Sequence, residues 1–156
     1  MNSLTKNIII NASAEKIWAL LADVTRTPEW IMGVQESERT GEVRKGKGLR
    51  WRERSLLEKQ NIEMEHEMVE WEPQRRLKVH SELPMNGWMD RTLELKPSGA
   101  GTEATILVSW DLGIAGMLLG EKKVTAILNN LFEVTLANLK ELAEKGGISA
   151  VYACGP

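Results

Sequence analysis

The chain has a single cysteine, Cys154, close to its C-terminus. One thiol forms no internal disulfide, and a free thiol suits a reducing compartment. Basic clustering is also missing. The formal charge is −2, with acids and bases interspersed, so the concentrated positive face of a nucleic-acid binder is excluded. No apolar run approaches the roughly 20 residues of a membrane span. The run Ile8-Ile9-Ile10 is too short for the core of a signal peptide. A cytoplasmic protein without an integral membrane segment is expected. Histidine occurs twice, which with one remote cysteine leaves no metal-ligand set and implies no cofactor. No nucleophile elbow is present, and no Cys–His pairing is sensibly placed.

Tryptophan and methionine, by contrast, are plentiful. Of eight aromatics six are Trp, and there are seven Met. Trp contributes large rigid apolar area with one donor, and Met contributes adaptable filling. Both suit a core, and both suit a pocket for an irregular apolar guest. A length of 156 residues is near the mode for one domain and buries a core without staples. One domain over 1–147 is expected, followed by a flexible tail over 148–156.

Hydrophobic periodicity sets the order of elements. Residues 4–10 read as a strand. Ser13 is a helix N-cap, and Ile17, Leu20, Leu21 and Val24 follow on one helical face. A second short helix is expected from Thr27 as cap, with Pro28 at its first position and Gly33 as its stop. Six strands follow without a helical interval, at about 35–40, 48–57, 61–71, 76–82, 88–96 and 102–112. Their short connections imply antiparallel neighbours. From about Gly116 the pattern turns helical. Val124, Leu128, Leu131, Thr135, Asn138, Leu139 and Leu142 form one stripe, and Gly146-Gly147 stop the helix. An antiparallel sheet with one apolar face needs a cover, and this helix is long enough to be it. The fold class is α+β.

Strand alternation assigns faces. Leu49, Trp51, Glu53 and Ser55 share one side, opposite Arg50, Arg52 and Arg54. Ile62, Met64, His66 and Met68 oppose Glu63, Glu65 and Glu67. The Arg and Glu sets should pair on the outside, as Arg52–Glu67 and Arg54–Glu65 or in a register shifted by two. Either register sets Glu53 opposite or diagonal to His66 on the inside. Val69 and Trp71 break the parity of Met68, which implies a bulge. Leu77, Val79 and Ser81 point inward, as do Met89, Arg91, Leu93 and Leu95, and Ala104, Ile106, Val108 and Trp110.

An apolar concavity with few polar fixtures is the usual form of a small-molecule site. The candidate ligand-binding residues are Trp51, Glu53, Met64, His66, Ser81, Met89, Arg91, Val108, Trp110, Leu131, Thr135 and Asn138. The candidate catalytic pair is His66 with Glu53, because a carboxylate beside a buried His orients it and raises its basicity. The blander reading is a satisfied polar pair in the core. Arg91 is a candidate for a ligand carboxylate.

Other motifs yield to context. The segment from Gly41 to Gly48 nearly spells a phosphate-binding loop, but Gly48 replaces the Ser or Thr and a strand follows where a helix is needed. Asn11-Ala12-Ser13 is a glycosylation sequon better read as a helix start. His66 and His80 have opposite facings and do not converge on a metal.

Two stretches, Ala14 to Asp23 and then Pro28-Glu29-Trp30, resemble the opening of polyketide cyclase/dehydrase-like proteins of the START-like (SRPBCC) superfamily. Val69 to Leu77, the hairpin from Thr92-Leu93-Glu94-Leu95 to Gly101-Thr102, and Leu136 to Leu142 carry the same resemblance, which covers roughly residues 4–145. It implies a helix-grip fold: seven curved antiparallel strands, two short helices after the first, and a long C-terminal helix gripped by the sheet. It implies a small hydrophobic ligand, lipid-, polyketide- or quinone-like, and brings no shared catalytic set. Trp51, Trp88 and Trp110 lie outside the shared pattern. Two functions follow as expectations: binding or transport of such a ligand, or cyclase/dehydratase chemistry on the His66–Glu53 pair with Arg91 or Asn138 holding a substrate oxygen. A collapsed interior with only surface contacts is the third. A homo-oligomer is left open.

Overall fold

The computed structural model describes residues 2–145; the expected tail, Cys154 and the Gly146-Gly147 stop lie outside the described residues. Seven strands form one antiparallel sheet in the order β1-β7-β6-β5-β4-β3-β2. They are β1 (Asn2–Ile10), β2 (Val34–Thr40), β3 (Arg50–Leu57), β4 (Gln60–Glu72), β5 (Arg76–Leu83), β6 (Gly87–Ser98) and β7 (Gly101–Asp111). Every chain-consecutive pair from β2 to β7 is a hairpin, and β1 closes on β7. The helix-grip fold is completed by α1 (Ala14–Ala22) and a 3₁₀ segment, Val24–Glu29, after β1, and by α2 (Gly113–Leu119) and α3 (Glu121–Lys145) at the end.

Local chemistry explains these boundaries. The Ser13 hydroxyl accepts from Lys16 N at 3.2 Å and caps α1. The second helix differs from expectation. It begins at Val24, three residues before Thr27, because the Asp23 carboxylate caps it through Thr25 N at 3.1 Å. Thr27 is thereby turned inward and buried. The helical region after β7 is also two helices: Gly120, at φ 90°, breaks α2 from α3. That left-handed conformation is open to Gly at little cost.

The Arg–Glu hairpin adopts the register shifted by two. Arg50 faces Glu67, Arg52 faces Glu65 and Arg54 faces Glu63. Its turn is Glu58-Lys59, with φ of 48° and 67°, the left-handed pair a tight two-residue hairpin needs. Ion pairs line the outer face, among them Arg50–Glu67 at 2.9 Å and Arg54–Glu36 at 3.1 Å. The expected bulge is present, where pairing slips between Met68 and Glu70.

Buried residues from the concave sheet face, α1 and α3 form one core. Leu128, Leu131, Phe132, Thr135, Leu136, Leu139 and Leu142 supply the α3 side. Ile10, Ile17, Leu139 and Ala143 are sealed completely. Among the described residues no helix is long and apolar enough to cross a membrane.

Candidate functional site

A cavity of about 550 Å³ opens between the concave face of β3 to β6 and the α2 end of α3. Its wall is largely aliphatic and methionine-rich, with Met64, Met89, Leu128 and Leu131 among the lining side chains. Glu53, Ser55, His66, Ser81 and Arg91 supply the polar part. On α2, Ala115 and Leu119 line the cavity, while Met117 and Leu118 are 83% and 78% exposed.

The structure gathers seven of the expected residues on this wall: Glu53, Met64, His66, Ser81, Met89, Arg91 and Leu131. Five others lie off it. Trp51 is buried behind the wall, its indole Nε1 donating to Glu53 Oε2 at 3.0 Å and its ring 5.2 Å from that of His66. Thr135 and Asn138 are spent on holding the loop before β2, through Met32 N at 3.0 Å and Trp30 O at 3.2 Å. Val108 and Trp110 are buried in the closed core on β7. Alternation reported correctly that these side chains face inward. It carries no information on how far along the sheet the open space extends.

The polar groups form one chain. Glu53, 1% exposed, accepts three hydrogen bonds: from Thr27 Oγ1 at 2.7 Å, from Trp51 Nε1, and from the His66 Nε2 side at 2.9 Å. Burial pushes its carboxyl pKa up, but hydrogen bonding to His66, the charge that His66 takes up in acid, the Arg91 charge and the Thr27 hydroxyl outweigh this and hold it at about 2. Burial also pushes His66 below its ordinary value, helped by Arg91 and opposed by Glu53. The ring is therefore neutral near pH 7 beside an ionised acid. An ionised carboxylate only accepts, so the ring proton is assigned to Nε2. The Nδ1 lone pair is left to accept from the Ser81 hydroxyl at 2.6 Å.

Arg91 is different. It is 8% exposed, burial pushes its pKa down against the pull of Glu53, and its Nε has no hydrogen-bond partner among the described residues. The Ser55 hydroxyl on the same wall is likewise unpartnered. Sequence reading missed Thr27 and Ser55 as members of this site. Ser55 carried a signal, since it shares the inward parity of Trp51 and Glu53. His80 faces the other side of the sheet, where its Nδ1 lies 2.6 Å from Asp90.

The fold and site together define a helix-grip domain with an internal, mostly apolar cavity and a buried polar end. The chain belongs to the polyketide cyclase/dehydrase and lipid transport family, which matches residues 1–144. No curated protein matches it by sequence. Among solved structures it is similar to TTHA0849 from Thermus thermophilus, with TM-score 0.80 and 21% identity over 94% of this chain and 99% of that one. It is similar to the Zhui aromatase/cyclase from Streptomyces sp. R1128, with TM-score 0.78 and 16% identity over 92% and 94% of the two chains. It also matches the di-domain ARO/CYC BexL of the BE-7585A biosynthetic pathway at TM-score 0.72 and 19% identity, covering 90% of this chain and 46% of that one. At these identities the likeness is one of fold.

Proposed function

We propose that the protein binds or carries a small, largely apolar molecule with an oxygen-bearing, acidic end. The observation that carries this reading is the unpartnered Arg91 Nε on the wall of an apolar cavity. A buried donor without an acceptor costs about 1–3 kcal/mol, more when charged, and a ligand oxygen would satisfy it. Glu53 is not that acceptor: its oxygens accept from Thr27, Trp51 and His66, and no hydrogen bond joins it to the Arg91 Nε among the described residues. The lipid-transport description of the family and the aromatase/cyclase names of two structural relatives fit a ligand of this class.

A naphthalene sulfonate dye tests it, since its rings match the wall and its sulfonate matches Arg91. Saturable binding at one site is expected, with a response in tryptophan emission. Arg91→Leu should weaken the sulfonate dye by about ten- to a hundredfold, the worth of a charged hydrogen bond. A neutral naphthylamine should lose far less. Absence of saturable dye uptake by the cooperatively folded protein would sink the reading.

A second reading, cyclase or dehydratase chemistry with His66 as base, is favoured by the neutral ring oriented by Glu53. Its geometry is indirect. Both ring nitrogens are engaged, so a substrate proton would reach His66 only by way of the Ser81 hydroxyl.

A further inference from the structure

Ser81, His66 and Glu53 come from three neighbouring strands, β5, β4 and β3, and all three line the cavity. Ser81 Oγ lies 2.6 Å from His66 Nδ1, and His66 Nε2 lies 2.9 Å from Glu53 Oε1. Hydroxyl, imidazole and carboxylate are thus joined in series, as nucleophile, base and orienting acid are in acyl-transfer enzymes. Thr27 and Trp51 fix the carboxylate from behind, so the chain of three has one rotatable end, the hydroxyl at the cavity. Arg91 stands on the same face. Val79 faces Arg91 and Ser81 faces Met89, which makes Ser81 and Arg91 diagonal neighbours on adjacent strands, and the guanidinium Nε has no partner among the described residues.

We propose that Ser81 is an acyl-accepting nucleophile, and that the cavity cleaves activated esters or thioesters of hydrophobic acids. The proposal rests on the cavity admitting a ligand. In the first step Ser81 Oγ attacks the ester carbonyl carbon while His66 Nδ1 takes the hydroxyl proton. Glu53 stabilises the resulting imidazolium, and Arg91 faces the developing oxyanion. The carbon–oxygen or carbon–sulfur bond to the leaving group then breaks, and His66 returns the proton to the departing alcohol or thiol. In the second step water adds to the acyl-serine, with its proton passing through His66. The free acid leaves and Ser81 is restored. No redox partner is needed.

The ionisation states support this order of events. His66 is neutral and its lone pair already points at the hydroxyl, so the base is ready without prior proton loss. A serine on a strand lacks the exposed turn of a nucleophile elbow; Ser81 is 1% exposed, and approach to it is through the cavity that it lines.

The test treats the full-length protein with the p-nitrophenyl ester of a medium-chain fatty acid and follows nitrophenolate release and intact mass. A stoichiometric burst and an acyl adduct that peptide mass mapping places on Ser81 are expected. Ser81→Ala should lose the adduct completely, and His66→Gln should slow its formation by about 100- to 10,000-fold. Ser81→Cys, which keeps a nucleophile at the same place, should carry the adduct as a thioester if the alanine variant does not fold. No adduct on the native protein, or an adduct on another residue, overturns the proposal. Dye binding on the native protein is read separately. Dye uptake without an adduct overturns the nucleophile and leaves the cavity reading standing, whereas no dye uptake overturns both.

Discussion

Glu53 and His66 make the fold sensitive to acid, and the sign follows from their shifts. The Glu53 pKa is depressed from its ordinary 4.5 to about 2. Its stabilisation is complete above the unfolded value and is lost as pH falls toward about 2. The His66 pKa is lowered from 6.5, so below 6.5 the unfolded chain takes up a proton that the folded chain refuses. The two groups act in the same direction, and urea midpoints should fall steadily from pH 6.5 down toward 2. Glu53→Gln should flatten the lower part of that decline, between 4.5 and about 2. An unchanged slope there would show that Glu53 is not the group responsible. The Glu53–His66 contact is legible in the sequence, because the flanking Arg and Glu sets leave those two side chains on the inner face in either register. The Ser81–His66 contact is not. It depends on the β4–β5 register, in which His66 faces Ser81, and the slip at Val69 makes that register unreadable from the parity of either end. Thr27 misleads for a related reason. A threonine before a proline looks like a helix cap, but Asp23 already caps the segment, which frees the Thr27 hydroxyl to serve Glu53.

At the level of elements, α3 does two jobs along one stripe. Leu139 is 0% exposed and packed on all sides, while Leu131, 7% exposed, borders the cavity. Leu139→Ala should cost about 2–5 kcal/mol, as truncations in close-packed cores do. Leu131→Ala should cost less, because on one side the leucine has open space and few contacts to lose. Urea unfolding of both variants checks this, and a larger loss at Leu131 would mean that the cavity is closed by that side chain in solution. The stripe itself is plain from the spacing of its leucines. The start of α3 is not, since Gly116 and Gly120 are equally good breakers on paper and only the φ of 90° at Gly120 separates them. The β3–β4 turn is ambiguous in the same way. Glu58-Lys59 lacks the Asn-Gly signal of a two-residue turn, so a longer loop fits the charge pattern equally well.

For the molecule as a whole, the grip is sealed at one end and open at the other. Ile10, Ile17, Leu139 and Ala143 have no exposed surface, whereas the opposite end holds the cavity under α2 and the first turns of α3. Alternation tells which face of each strand points inward. It does not tell which end is hollow, because that depends on where α2 and the first turns of α3 come to lie. The short helix begins on one glycine in left-handed conformation, Gly113 at φ 59°, and is ended by another, Gly120 at φ 90°, and contributes no buried residue. Few buried contacts mean a low local free energy of opening, whatever the global stability. Backbone amides of Gly113–Leu119 should therefore exchange with deuterium well before those of β1, β7 and residues 132–145. Adding the naphthalene sulfonate dye to occupancy should slow exchange in α2 and in the first turns of α3, since a ligand seated below them opposes their opening. Amides at the sealed end, which open mainly by global unfolding, should slow as well, because a ligand that binds only the folded chain raises the free energy of global opening, so the slowing in α2 is the local mark of the site. Hydrogen–deuterium exchange mass spectrometry with and without the dye reads this gradient. Unchanged exchange in α2, with slowing confined to β1 and β7, would place the dye outside the cavity.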